Sequence, residues 1–206
     1  MITIWGRVDA PNVRKVLWCA EELGVDYRRL DLGGRYGGTD TPDYLAKNPN
    51  GLIPTLEEAD GFVVWEAHAI MKYLCAKAGE QSLYPADARQ RAIVDQWLDW
   101  QAIHQAAAVR GLGRRFRPGA PPSSSAELAE AQGAVEAAFA ILEARLERSA
   151  HVAGEAFTIA DIPLAIGVQR WLQLPLERRA FPAIEAWFAR LTQCAAFTRV
   201  GAVSYS

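Results

Sequence analysis

No stretch of this 206-residue sequence approaches the ~18 uninterrupted apolar residues of a membrane-spanning helix. Cysteine is scarce as well: Cys19, Cys75 and Cys194 are odd in number, widely spaced and without a CxxC pair. That pattern excludes a disulfide scaffold and a zinc site, and it fits reduced thiols in the cytoplasm. Each cysteine sits in an apolar helical pattern and is expected to be a small core residue. Charge of one sign is also lacking. A formal net charge of -2 gives no broad attraction for nucleic acid or an anionic membrane, so neither is expected as a partner. The single basic run, Arg110, Arg114, Arg115 and Arg117, is expected to be a solvated loop. The opening residues 1–7 carry no basic leader, and their apolar run is too short for a secretory segment.

What remains is ordinary globular composition, half apolar and 22% charged, in a length that suits two small domains. Ile2 and Ile4 alternate with Thr3 and stop at Gly6, which predicts a short strand. Val13, Val16, Leu17, Ala20 and Leu23 then recur at helical spacing, with Pro11 in the first turn and Gly24 as a stop. Residues 27–32 predict a second strand, so the chain opens on a βαβ unit with parallel strands. A glycine-rich loop, 33–38, lacks the strand-to-helix context of a phosphate cradle. Thr41-Pro42-Asp43 starts a brief helix running to about Lys47. Asn48-Pro49-Asn50-Gly51 marks a turn. Asp60-Gly61, between 55–58 and 62–65, marks a hairpin. A helix over 67–78, with Ile70, Met71 and Leu74 on one face, ends at Gly79. The order βαβ, short helix, ββα predicts an α/β thioredoxin-like domain over 1–80.

After the turn-like 80–85 no strand signal returns, and an all-α helical bundle domain is expected over 87–206. Ile93, Trp97, Trp100 and His104 recur along a helix from Asp87 to about Leu112. The segment 114–123 is a loop rich in proline, glycine and arginine. Ser124-x-x-Glu127 is a capping box for a long helix carrying Leu128, Val135, Phe139, Leu142 and Leu146. Two further helices are expected, at about 159–172 and 182–194.

Three motifs stand in order along the chain: Asn48 to Leu56 ahead of the hairpin, Trp65-Glu66-Ala67-His68-Ala69-Ile70 opening a helix, and Gly154-x-x-Phe157-Thr158-Ile159-Ala160-Asp161. Together with Trp5-Gly6-Arg7 and Asn12-Val13-x-Lys15-Val16-Leu17-Trp18, they resemble the soluble glutathione transferases, in particular a bacterial branch. The resemblance covers essentially the whole chain. It implies an enzyme that joins glutathione to small electrophilic or hydrophobic substrates, or reduces them with it. Glutathione is then a co-substrate, no metal takes part, and the protein works as a cytoplasmic homodimer in detoxification.

The resemblance also implies a site. Ile53 precedes Pro54, whose matching proline in thioredoxin-like folds is cis and turns the preceding backbone outward to grip a peptide. Glu66 and Ala67 stand at a helix N-terminus suited to the γ-glutamyl carboxylate and ammonium of glutathione. Two positions depart from the family. Ala67 replaces a common serine, and the branch's catalytic serine falls at Ala10, which has no donor. A free thiol has a pKa of about 8.5, so half ionisation at neutral pH requires roughly 2 kcal/mol of thiolate stabilisation. One charge-assisted hydrogen bond supplies that, and Asn12 is the nearest candidate donor. A purely helix-capping Asn12 stays open beside it. Trp100, His104, Arg110 and Phe116 are candidates for the second-substrate pocket, although His104 also fits a packed core histidine. The alternatives are a silent glutathione-binding carrier of the same fold and a glutathione-dependent disulfide reductase. Thr158 and Asp161 are expected to cap a helix, with Phe157 as a staple.

Overall fold

The structure, a computed structural model, describes residues 1–201. It divides into two compact units: Met1–Tyr84 together with the described residues from Cys194 on, and Pro85–Gln193. The boundary expected at 206 lies outside the described residues.

The first unit runs β1 (Ile2–Trp5), α1 (Pro11–Glu22), β2 (Tyr27–Leu30), α2 (Pro42–Leu45), β3 (Thr55–Glu57), β4 (Val63–Trp65) and α3 (Ala67–Ala78). Its sheet has the order β2-β1-β3-β4. β1 lies parallel to β2, with Thr3 opposite Arg28, and antiparallel to β3, with Ile4 opposite Leu56. This is the thioredoxin-like α/β layout that the element order predicts. Period-two alternation sends Ile4 and Leu56 to the same side, and both are fully buried. Against them pack Val13, Val16 and Leu17 of α1 and Ile70, Met71 and Leu74 of α3, all buried.

The apolar pattern did not anticipate α9 (Ala195–Gly201), seven residues long. Phe197 meets Trp18 edge-on with centroids 4.9 Å apart, and the buried Arg14 donates from Nε to the Val200 carbonyl at 2.9 Å. The short helix therefore satisfies a cation that α1 carries on its buried side. Cys19 and Cys75 are buried as expected, but Cys194 is only half-buried. It lies at the break ahead of α9 rather than inside a helix, which corrects its assignment to the core.

The second unit is all helical, as expected: α4 (Ala88–Trp100), a π-helical turn (Gln101–Gln105), α5 (Ala106–Gly113), α6 (Ser125–Leu146), α7 (Asp161–Leu172) and α8 (Pro182–Thr192). The Ser124 capping box is present in both directions. Its core holds Phe139, with Trp171 and Phe181 edge-on at 5.7 and 5.8 Å. No helix among the described residues is long and apolar enough to cross a membrane.

Candidate active site

The site is built where three connections of the first unit converge on Ile53. Gly6 ends β1 at φ 148°, and a Cβ there would stand 2.4 Å from Val13 Cγ2 and 3.2 Å from Ile53 Cβ. Gly33, at φ 77°, would bring a Cβ to 3.1 Å from Ile53 Cδ1. Only glycine allows both backbones to close on this side chain. Ile53–Pro54 is a cis peptide. The turn leading into it is held from beneath: Asn48 Nδ2 and Tyr44 Oη both donate to the Leu52 carbonyl, at 2.8 and 2.6 Å. Asn48 Oδ1 also accepts from the Asn50 amide at 3.1 Å. Asn48 and Tyr44 are buried, so the Asn-Pro-Asn-Gly turn carries a fixed polar core. Burial pushes the Tyr44 phenol up from its ordinary pKa, against the lowering effect of its Thr55 and Asn48 hydrogen bonds.

Across the hairpin, Glu66 adopts φ 72° and ψ 121° immediately before α3. It is the only described non-glycine residue at positive φ, a conformation that costs energy and recurs at ligand sites. Glu66 is exposed, and Ala67 begins the helix buried. The first internal bond of the helix runs from the Ile70 amide to the Glu66 carbonyl at 2.9 Å. Ala67 N–H lies ahead of that bond, in the turn where a helix presents its free amides.

Residue 10 is the N-cap of α1 and supplies no side-chain cap; Pro11 and Asn12 follow as its first helical residues. Asn12 is exposed. The structure therefore gives Asn12 no N-cap position, and the helix-capping reading loses its geometry. Trp100 and His104 are brought together, their rings 6.0 Å apart, while Trp97 lies edge-on to Trp100 at 5.3 Å. They belong to the second unit, as does Arg110, which is exposed on α5. His104 is exposed rather than packed, because the π-turn carries it off the buried side; this corrects the packed-histidine expectation.

Sequence reasoning missed one charged cluster. Asp9, 4% exposed, takes both Arg7 Nη1 at 2.8 Å and Arg35 Nη1 at 3.1 Å on its Oδ2. Burial pushes the Asp9 carboxyl up, but the hydrogen bond and charge of Arg7, its own backbone and Arg35 together hold it below its ordinary value of 3.8. The signal was available only as Arg7 and Arg35 at the ends of two glycine-bounded loops, and pairing across 26 residues leaves no local pattern. Among the described residues no three His, Cys, Asp or Glu side chains gather as a metal site.

A family model for the glutathione S-transferase N-terminal domain matches residues 10–77, and one for the C-terminal domain matches residues 100–194. Glutathione S-transferase GstB of Escherichia coli K12 is 32% identical over 202 residues, 97% of each chain. A disulfide-bond oxidoreductase of the same organism, YfcG, is 31% identical over 88% of this chain and 86% of its own. Among solved structures, a theta class glutathione S-transferase from Xanthomonas axonopodis pv. citri with glutathione bound superposes with a TM-score of 0.92. It is 40% identical and covers 100% of this chain and 99% of its own. The chain belongs to the glutathione S-transferase family.

Proposed function

We propose that the first unit binds glutathione as a co-substrate and presents its thiolate to a small electrophile for conjugation. The observation that carries this reading is the strained Glu66 at φ 72°, set at the N-terminus of α3 across the hairpin from Ile53–Pro54. The Ile53 backbone pairs with the cysteinyl backbone of glutathione. The Glu66 carboxylate takes its ammonium group, and the Ala67 amide takes the γ-glutamyl carboxylate. Asn12, at the exposed start of α1, donates to the sulfur with the help of the helix dipole. Trp100, His104 and Arg110 serve the second substrate. The protein acts in the cytoplasm as a homodimer and requires no metal. The two domains of this reading are residues 1–80 and 87–206, although the described residues from Cys194 on group with the first compact unit.

Ala10, with no donor at the branch's serine position, favours a second reading: a carrier that binds glutathione without ionising it. The two separate in an ultraviolet thiolate titration of bound glutathione. The transferase reading expects a bound thiol pKa at least one unit below the free value of about 8.5, returning towards that value in Asn12→Ala. Saturable binding with an unshifted pKa gives the carrier; absence of binding removes both.

A further inference from the structure

Two guanidinium groups, Arg7 and Arg35, share one carboxylate oxygen of Asp9. The cluster therefore carries positive charge in excess of what Asp9 neutralises. Its place is fixed by the same contacts that build the site. Asp9 directly precedes the N-cap of α1. The Arg7 amide donates to the Leu32 carbonyl at 3.1 Å. The Arg7 stem lies so close to the glycine loop that a Cβ on Gly34 would stand 2.6 Å from Arg7 Nε. Gly6 and Gly33, the neighbours of Arg7 and Gly34, both touch Ile53. The α1 N-terminus, the Ile53 backbone and the two arginines thus share one end of the sheet.

The two arginines are not equivalent. Arg7 Nε is buried and without a hydrogen-bond partner in the structure, and it is shut in by the loop. Arg35 has a side chain 57% exposed. It spends Nη1 on Asp9 and directs Nη2 to the Tyr36 hydroxyl at 3.4 Å, a long contact that an incoming anion displaces easily. Arg35 is therefore anchored on Asp9, with the Tyr36 ring 4.9 Å from its guanidinium carbon and more than half of the side chain still exposed, which leaves donors of the guanidinium fork for a carboxylate.

We infer that Arg35, seated on Asp9 beside Arg7, selects second substrates that carry an anionic group, such as a carboxylate, close to the carbon that the glutathione sulfur attacks. This rests on the reading that the first unit binds glutathione. With a haloalkanoate, the deprotonated sulfur gives its electron pair to the carbon, and the halide leaves with the pair of the broken carbon–halogen bond. Arg35 contributes binding of the carboxylate and takes no proton.

The test uses three stable thioethers that differ only beyond the sulfur: S-carboxymethylglutathione, its uncharged carbamoylmethyl counterpart and S-methylglutathione. Calorimetry on the whole protein is expected to show the carboxymethyl compound binding about ten-fold tighter than the carbamoylmethyl one, the low end for a hydrogen bond to a charged group. That ratio falls to near one in Arg35→Gln and is partly kept in Arg35→Lys. An unchanged ratio in Arg35→Gln overturns the inference. So does an equal loss for all three ligands, which would mean that Arg35 holds a carboxylate of glutathione itself. If the wild-type protein binds none of the three, the glutathione reading falls and this inference falls with it.

Discussion

Asp161 shows how much one side chain can hold. It is fully buried, and its carboxylate accepts from the Val152 amide at 3.1 Å, the Thr158 amide at 2.9 Å and the Trp187 indole at 3.0 Å. The Thr158 hydroxyl and His151 Nδ1 stand at 3.3 Å. The Thr158–Asp161 pair was legible, because capping is local and its spacing is fixed by the helix turn. The Val152 and Trp187 contacts were not, because the chain returns from 9 and 26 residues away. Those returns turn a cap into a hub for α7, α8 and the preceding loop. Asp161→Ala strands two buried N–H donors as well as removing the cap. It is expected to cost about 3–5 kcal/mol, against about 1 kcal/mol for Thr158→Ala. Urea unfolding of the two variants decides it: equal small losses would reduce Asp161 to an ordinary cap.

At the scale of the element, the stretch 88–113 shows why a correct helix can still present the wrong side. The apolar spacing of Ile93, Trp97, Trp100 and His104 predicts one stripe. The structure instead buries Val94, Trp97, Leu98, Gln101, Gln105, Val109 and Leu112, and leaves Ile93 39% exposed. Two physical causes act from residue 101 onward, whereas Ile93 already lies on the exposed side of α4 ahead of them. The π-turn at 101–105 adds a residue to one turn and rotates everything after it. Two of the buried positions are glutamines, which no hydrophobic count would select. Gln105 is fully buried, donates from Nε2 to the Leu164 carbonyl at 3.1 Å, and leaves Oε1 without a partner. Its amide fills the space over Gly167, where a Cβ would come within 2.3 Å of Oε1. Gly167→Ala therefore forces the amide out of place and is expected to destabilise by about 1–3 kcal/mol. Combining it with Gln105→Ala should recover about 1 kcal/mol or more relative to the sum of the single losses. Additive losses in that double-mutant cycle would mean that the π-turn and α7 are held apart by something other than this amide.

Over the whole molecule, the β-α-β then β-β-α order was legible because each strand and helix announces its own period and its own stop. The glycine-bounded loops were legible as loops only. Their convergence on Ile53 depends on three segments separated by 20 residues or more, and it is that convergence which makes a site. What the fold leaves exposed also bears on assembly. On the first unit, Leu52 is 63%, Phe62 47% and Trp65 38% exposed. Single exposed apolar side chains are normal, but several on one hairpin and the turn beside it are a feature of interaction surfaces. A dimer that stays intact at micromolar protein requires about 8 kcal/mol of association free energy. Interfaces of that strength typically bury about 1,600 Å², more than these side chains provide alone, so they would form the centre of a larger contact with a polar rim. Sedimentation equilibrium at micromolar protein should give a mass of two chains. Phe62→Glu at the hairpin, which places a charge in that contact, should shift the population towards monomer. A single-chain mass for the wild-type protein would instead leave the exposed hairpin without a partner of its own kind.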